Sequence, residues 1–101
     1  MTYAELTTAL RVLGLPQQAT LAEIHQRHRS LVKAHHPDIA ADDDPQTIRR
    51  INAAYTLLRD YCATYSYSFS HEEFLRQNPE ERMRLQFYDD PVWGNSKPEP
   101  D

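Results

Sequence analysis

At 101 residues the chain has room for one small domain and a tail. Its 40% hydrophobic and 26% charged composition is that of an ordinary globular protein rather than a low-complexity one. The net charge of −4 argues against nucleic acid as the main partner, two glycines argue against a sheet joined by tight hairpins, and no apolar run is long enough to span a membrane.

Helix starts are legible from capping chemistry, in which Ser, Thr, Asp or Asn accepts from an orphan backbone N–H and Glu three residues later returns a bond. Thr2 with Glu5 predicts a first helix over Tyr3–Leu13, with Leu6, Leu10 and Leu13 on one face and Gly14 and Pro16 ending it. Thr20 with Glu23 opens a second, over Leu21–His35. Its inward stripe is Leu21, Ile24, His28, Leu31 and His35, and Pro37 stops it.

A polar, acidic loop from His36 to Asp44 follows and is expected to be exposed and mobile. Asp44-Pro45 then opens a third helix reaching about Cys62, with the stripe Ile48, Ile51, Tyr55, Leu58 and Cys62. That stripe repeats the spacing of the second helix, which predicts an antiparallel hairpin of the two with the first helix covering its open side.

After Cys62 the character changes. Residues 63–70 alternate small polar and aromatic residues, as a linker or as an extended strap lying on the third helix. Ser70 with Glu73, and Asn78 before Pro79, open two short helices at roughly 71–77 and 79–87; the proline-bearing end from Asn95 to Asp101 is expected to be disordered. Residues 1–64 balance seven Lys/Arg against seven Asp/Glu, so the excess acid lies in residues 65–101, with four Lys/Arg and eight Asp/Glu. The same tail holds Phe69, Phe74, Leu75, Met83, Leu85, Phe87, Tyr88 and Trp93. So many large apolar residues either pack back on the first and third helices, the reading favoured here, or bind a partner or client.

The sharpest local feature is His36-Pro37-Asp38 at the end of a basic amphipathic helix. Alone, such a triplet reads as a helix stop followed by a turn-forming Asp. Here it stands in a fixed order: Leu13-Gly14-Leu15, then Ala19-Thr20-Leu21-Ala22-Glu23-Ile24, the triplet itself, and Ile51-Asn52-Ala53-Ala54-Tyr55-Thr56-Leu57-Leu58. This order resembles the J-domain (DnaJ-like) family over residues 1 to about 61. The resemblance implies an all-α J-domain at 1–64 and an extension at 65–101. It also implies a co-chaperone that is not an enzyme and stimulates the ATPase of a DnaK-type heat-shock chaperone by contact with its ATPase domain and linker.

On that resemblance the partner surface is the second helix and its exit turn: His25, Arg27, His28, Arg29 and Lys33, then His36, Pro37 and Asp38. Arg27, Arg29 and Lys33 against Glu23 leave a local charge of +2 that would steer the domain toward an acidic partner. The plain reading of such a strip is a solvated helix face. His36 would exchange hydrogen bonds, Pro37 would fix the chain direction, and Asp38 would accept from a partner's arginine. Asp38 has an internal alternative in Arg49 or Arg50.

The sequence also departs from the family pattern. His28 stands where many members have tyrosine, His25 and Gln26 where many have a basic pair, Ser30 at an often basic position, and Ile39 where Lys or Arg usually follows the triplet. The basic element of the family's fourth helix is missing, so the partner-facing surface is less basic than usual.

Five histidines invite a metal, but His28 and His35 fall on the apolar stripe, and without a cysteine pair the ligand set is thin for zinc. No metal or cofactor is expected. Cys62 lies on the third helix's buried stripe and reads as a small hydrophobe rather than a nucleophile. One cysteine and no secretion signal make a reducing cytoplasm the expected setting, with neither membrane nor nucleic acid as partner. A scaffold that binds through residues 65–101 and activates no ATPase is the alternative function; the intact triplet favours the co-chaperone.

Overall fold

The computed structural model of the chain describes residues 1–36, 38 and 44–89. The expectations for Pro37, for Ile39 and the rest of the acidic loop through residue 43, for the Tyr88 side chain, for Trp93 and for the proline-bearing end lie outside the described residues. Among those described, all regular structure is helical: α1 (Tyr3–Leu13), α2 (Leu21–Ala34), α3 (Pro45–Thr64), α4 (His71–Gln77) and α5 (Pro79–Asp89).

The caps explain these limits. Thr2 Oγ1 accepts from the Glu5 N–H at 3.1 Å and opens α1. Gly14 closes it at φ 67°, a left-handed conformation that a side chain disfavours, and the Leu15 N–H reaches back to the Leu10 carbonyl at 2.9 Å. α2 carries a full capping box, with the Glu23 N–H on Thr20 Oγ1 at 3.1 Å and the Thr20 N–H on the Glu23 carboxylate at 3.0 Å. These bonds from Thr20, backbone first and then hydroxyl, hold the Glu23 carboxyl below its ordinary range. α2 ends at Ala34, one residue short of the expected His35, which caps it by donating to the Leu31 carbonyl at 3.0 Å.

Among the described residues the reciprocal box forms at Thr20–Glu23 alone. At α4, Ser70 accepts from the Glu73 N–H, but the Glu73 carboxylate turns to Arg76 at 2.7 and 2.8 Å and to Gln77 at 3.3 Å. Those bonds, Arg76 foremost, hold the Glu73 carboxyl at about 2.

The chain divides into two units, Met1–Tyr65 and Ser66–Asp101. In the first, α3 is the platform: α1 and α2 both pack chiefly on it and only lightly on each other. The pairing of α2 with α3 is antiparallel, since His25 meets Tyr55 whereas His28, one turn on, reaches back to Asn52. The core is Ala9, Leu13, Ile24, Ile51, Ala54 and Leu58, with Leu6, Leu10, Leu31, Tyr55, Leu57 and Cys62 among the partly buried residues around it. Ala9 and Ala54 were not on the expected stripes. They lie on the two helices with the most extensive mutual contact, where a bare methyl lets backbones approach closely. Leu21, expected inside, is the first residue of α2 and is 44% exposed.

In the second unit α4 and α5 pack on each other. Asn78 serves both, donating from Nδ2 to the Phe74 carbonyl at 2.9 Å and accepting at its own carbonyl from the Glu81 N–H at 3.0 Å.

Leu13 is completely buried. Leu13→Ala is expected to cost about 2–4 kcal/mol in denaturant unfolding, a large share of a small domain's stability. Leu21→Ala, at a half-open site, should cost less than about 1 kcal/mol on the same measurement.

Candidate partner-docking site

The side chains of α2 divide into three groups by what they touch. Ile24 points into the core. Toward α3, the His28 ring stacks on Tyr55 at 3.9 Å between centroids and 7° between planes, and its Nε2 lies 2.9 Å from Asn52 Oδ1. With Oδ1 accepting, Nε2 carries the proton. His25 meets the same Tyr55 ring, tilted 58° at 5.6 Å, and the Arg59 guanidinium lies 5.7 Å from its centroid. Both histidines therefore brace α2 against α3. Toward α1, Arg27 donates from Nε to the Leu13 carbonyl at 2.7 Å.

Arg29 and Lys33 form the third group. They are exposed, with no ion-pair partner among the described residues. Of the three cations in the expected strip, these two remain directed at solvent, while Arg27 is turned to the end of α1. The exit turn adds His36, whose side chain is 51% exposed, and Asp38, whose side chain is 90% exposed. The Asp38 N–H donates to His36 Nδ1 at 3.2 Å, and the Asp38 carboxylate lies 3.5 Å from the same nitrogen. Nδ1 as acceptor leaves the ring's other nitrogen as its donor, and the exposed carboxylate keeps lone pairs for an incoming cation. Among the described residues the side chain in contact with Asp38 is that of His36, and no ion pair to Arg49 or Arg50 is formed.

Asn52 and the Leu13 carbonyl are the participants that sequence reasoning missed. Asn52 is 24 residues from His28 and Leu13 is 14 from Arg27, so no local pattern ties them together. Among the described residues no group of three or more His, Cys, Asp or Glu is gathered as metal ligands, and Cys62 packs against the core. No helix among them is long and apolar enough to cross a membrane.

The geometry is that of a three-helix unit whose second helix is braced on one side and cationic on the other and leads into an exposed His–Asp turn. The DnaJ domain family matches residues 9–67, and the chain belongs to that family. Similar proteins include the chaperone protein DnaJ of Rickettsia prowazekii (strain Madrid E), 36% identical over 69 residues, which cover 66% of this chain and 19% of that protein. The chaperone protein DnaJ of Hydrogenobacter thermophilus is 41% identical over 51 residues, 50% of this chain and 14% of the relative. That of Dictyoglomus thermophilum is 42% identical over 50 residues, 48% and 13% respectively. The chain thus spans less than a fifth of the length of these relatives. No solved structure matches it.

If His28 is a brace and Lys33 a solvent-facing charge, their truncations separate. His28→Ala is expected to cost about 1–2 kcal/mol of unfolding free energy through the lost stack and hydrogen bond. Lys33→Ala should stay within about 0.5 kcal/mol of the parent. Chemical denaturation of the two variants side by side checks the order.

Proposed function

We propose that this chain is a J-domain co-chaperone that docks on a DnaK-type heat-shock chaperone through α2 and the His36-Pro37-Asp38 turn and stimulates its ATPase. The observation that carries the reading is the exposed His36–Asp38 turn at the exit of a helix whose Arg29 and Lys33 remain available to a partner. The relatives' printed name, chaperone protein DnaJ, supports it.

The module performs no bond chemistry. It acts by binding one conformational state of the chaperone more tightly than another, so that its contact energy shifts the chaperone toward the hydrolysing state. Arg29 and Lys33 supply a salt-sensitive approach to an acidic surface of the ATPase domain and linker. Asp38 offers a carboxylate to an arginine of the partner, a charge-assisted bond that is demanding in geometry. Pro37, between the two contact residues, restricts the chain direction at the turn. His25 and His28 contribute by holding α2 in place, with their rings on α3. The setting is the cytoplasm, where neither membrane nor nucleic acid is a partner.

A second reading, a scaffold that binds partners or a client through residues 65–101 without stimulating an ATPase, draws on the exposure of Phe74, Met83 and Phe87 in α4 and α5. Single-turnover ATP hydrolysis by a DnaK-type chaperone separates the two. The wild-type chain is expected to accelerate hydrolysis, and Asp38→Asn, with unchanged helical content, to abolish the acceleration. A wild-type chain that stimulates no chaperone of this class contradicts the co-chaperone reading.

A further inference from the structure

Helices α1 and α2 touch each other far less than each touches α3. Among the described residues one side-chain hydrogen bond ties them: Arg27 Nε to the Leu13 carbonyl, 2.7 Å. Leu13 is the last residue of α1, and its carbonyl is one of the acceptors a helix end leaves without an intrahelical partner. Gly14 follows at φ 67°, and a Cβ there would stand 3.2 Å from Arg27 Nη2. The absent side chain at Gly14 therefore serves twice: it permits the left-handed turn and it makes room for the guanidinium above it. Arg27 also adds positive charge at the negative end of α1.

We propose that Arg27 is a positioning residue. By locking α2 onto the end of α1, it fixes the angle at which α2 crosses α3, and with it the direction in which Arg29, Lys33 and the His36–Asp38 turn face the chaperone. Without this bond α2 is held chiefly on its α3-facing side, by Ile24 in the core and by His25 and His28 on Tyr55 and Asn52, and a helix held along one side can pivot about those contacts. The cations and the turn must meet the chaperone together, so a pivot reduces the fraction of encounters in which both engage. Affinity that comes from net charge survives such a pivot; the simultaneous fit that shifts the chaperone's state does not. This assignment rests on the co-chaperone reading for its consequence, but not for its geometry.

Two neutral substitutions of nearly the same length isolate the bond. Arg27→Gln places an amide N–H where Nε stands and removes the charge. Arg27→Met keeps the linear stem and offers no donor. Residual dipolar couplings on the free full-length chain report the angle between α1 and α2, and single-turnover hydrolysis by a DnaK-type chaperone at saturating chain reports the consequence. The expected result is that Arg27→Gln keeps the wild-type angle and at least half the wild-type stimulation, whereas Arg27→Met changes the angle and loses about fivefold in stimulated rate, the equivalent of one hydrogen bond.

If Gln falls as far as Met while both keep the wild-type angle, the guanidinium charge is a contact for the partner and the positioning role is overturned. Two variants indistinguishable from wild type in angle overturn it as well. A wild-type chain without stimulation defeats the co-chaperone reading, and the couplings still decide whether Arg27 sets the angle.

Discussion

A helix of fourteen residues has room for one buried stripe, and in α2 that stripe is committed to α3. Every other property of the three-helix unit depends on this division. Ile24 is in the core, and His25 and His28 gather around one tyrosine of α3. Once those positions are occupied, the helical period leaves Arg29 and Lys33 facing water, and the chain leaves α2 toward His36 and Asp38 on the surface. The brace has an unusual composition for an apolar stripe. Histidine supplies a flat ring to stack on Tyr55 and a ring N–H for Asn52, combining aromatic packing with a hydrogen bond that fixes rotation about the helix axis.

The platform itself is economical in side-chain bulk. Leu13, Ile24, Ile51 and Leu58 fill the space between three helices, and Ala9 and Ala54 let two of them come together. Surface ion pairs of the unit, such as Arg59 with Asp60 at 3.9 Å, add little to such a fold because water and salt screen them. The exposed charges of α2 are correspondingly inexpensive to keep available for binding, since the fold does not rely on them.

Much of the helical architecture was legible in the sequence because its signals are local. Thr2, Thr20, Ser70 and Asn78-Pro79 each announce a helix start within four residues, and Gly14 announces an end. The pairing of α2 with α3 was legible because two stripes shared one spacing. What failed to show was set by contacts distant in sequence. Nothing near Arg27 in the chain indicates that its Nε meets Leu13, so all three cations read alike as a strip, although two face solvent and one ties helices together. Nothing near His28 identifies Asn52 as its partner, and stripe counting favours large residues, so Ala9 and Ala54 passed unnoticed. The His36–Asp38 contact spans two residues, yet the sequence left Arg49 and Arg50 open as partners for Asp38, because charge type alone does not rank neighbours.

The central claim is that the outward side of α2 and its exit turn form one contact surface, with the α3-facing side reserved for the fold. The most direct measurement follows backbone amide signals of the labelled chain as an unlabelled DnaK-type chaperone in its ATP-bound form is added. The account predicts that the signals of Arg29, Lys33, His36 and Asp38 broaden or shift first, and that those of Ala9, Leu13 and Leu58 hold. Perturbation confined to α4 and α5, with α2 and its turn silent, would contradict it.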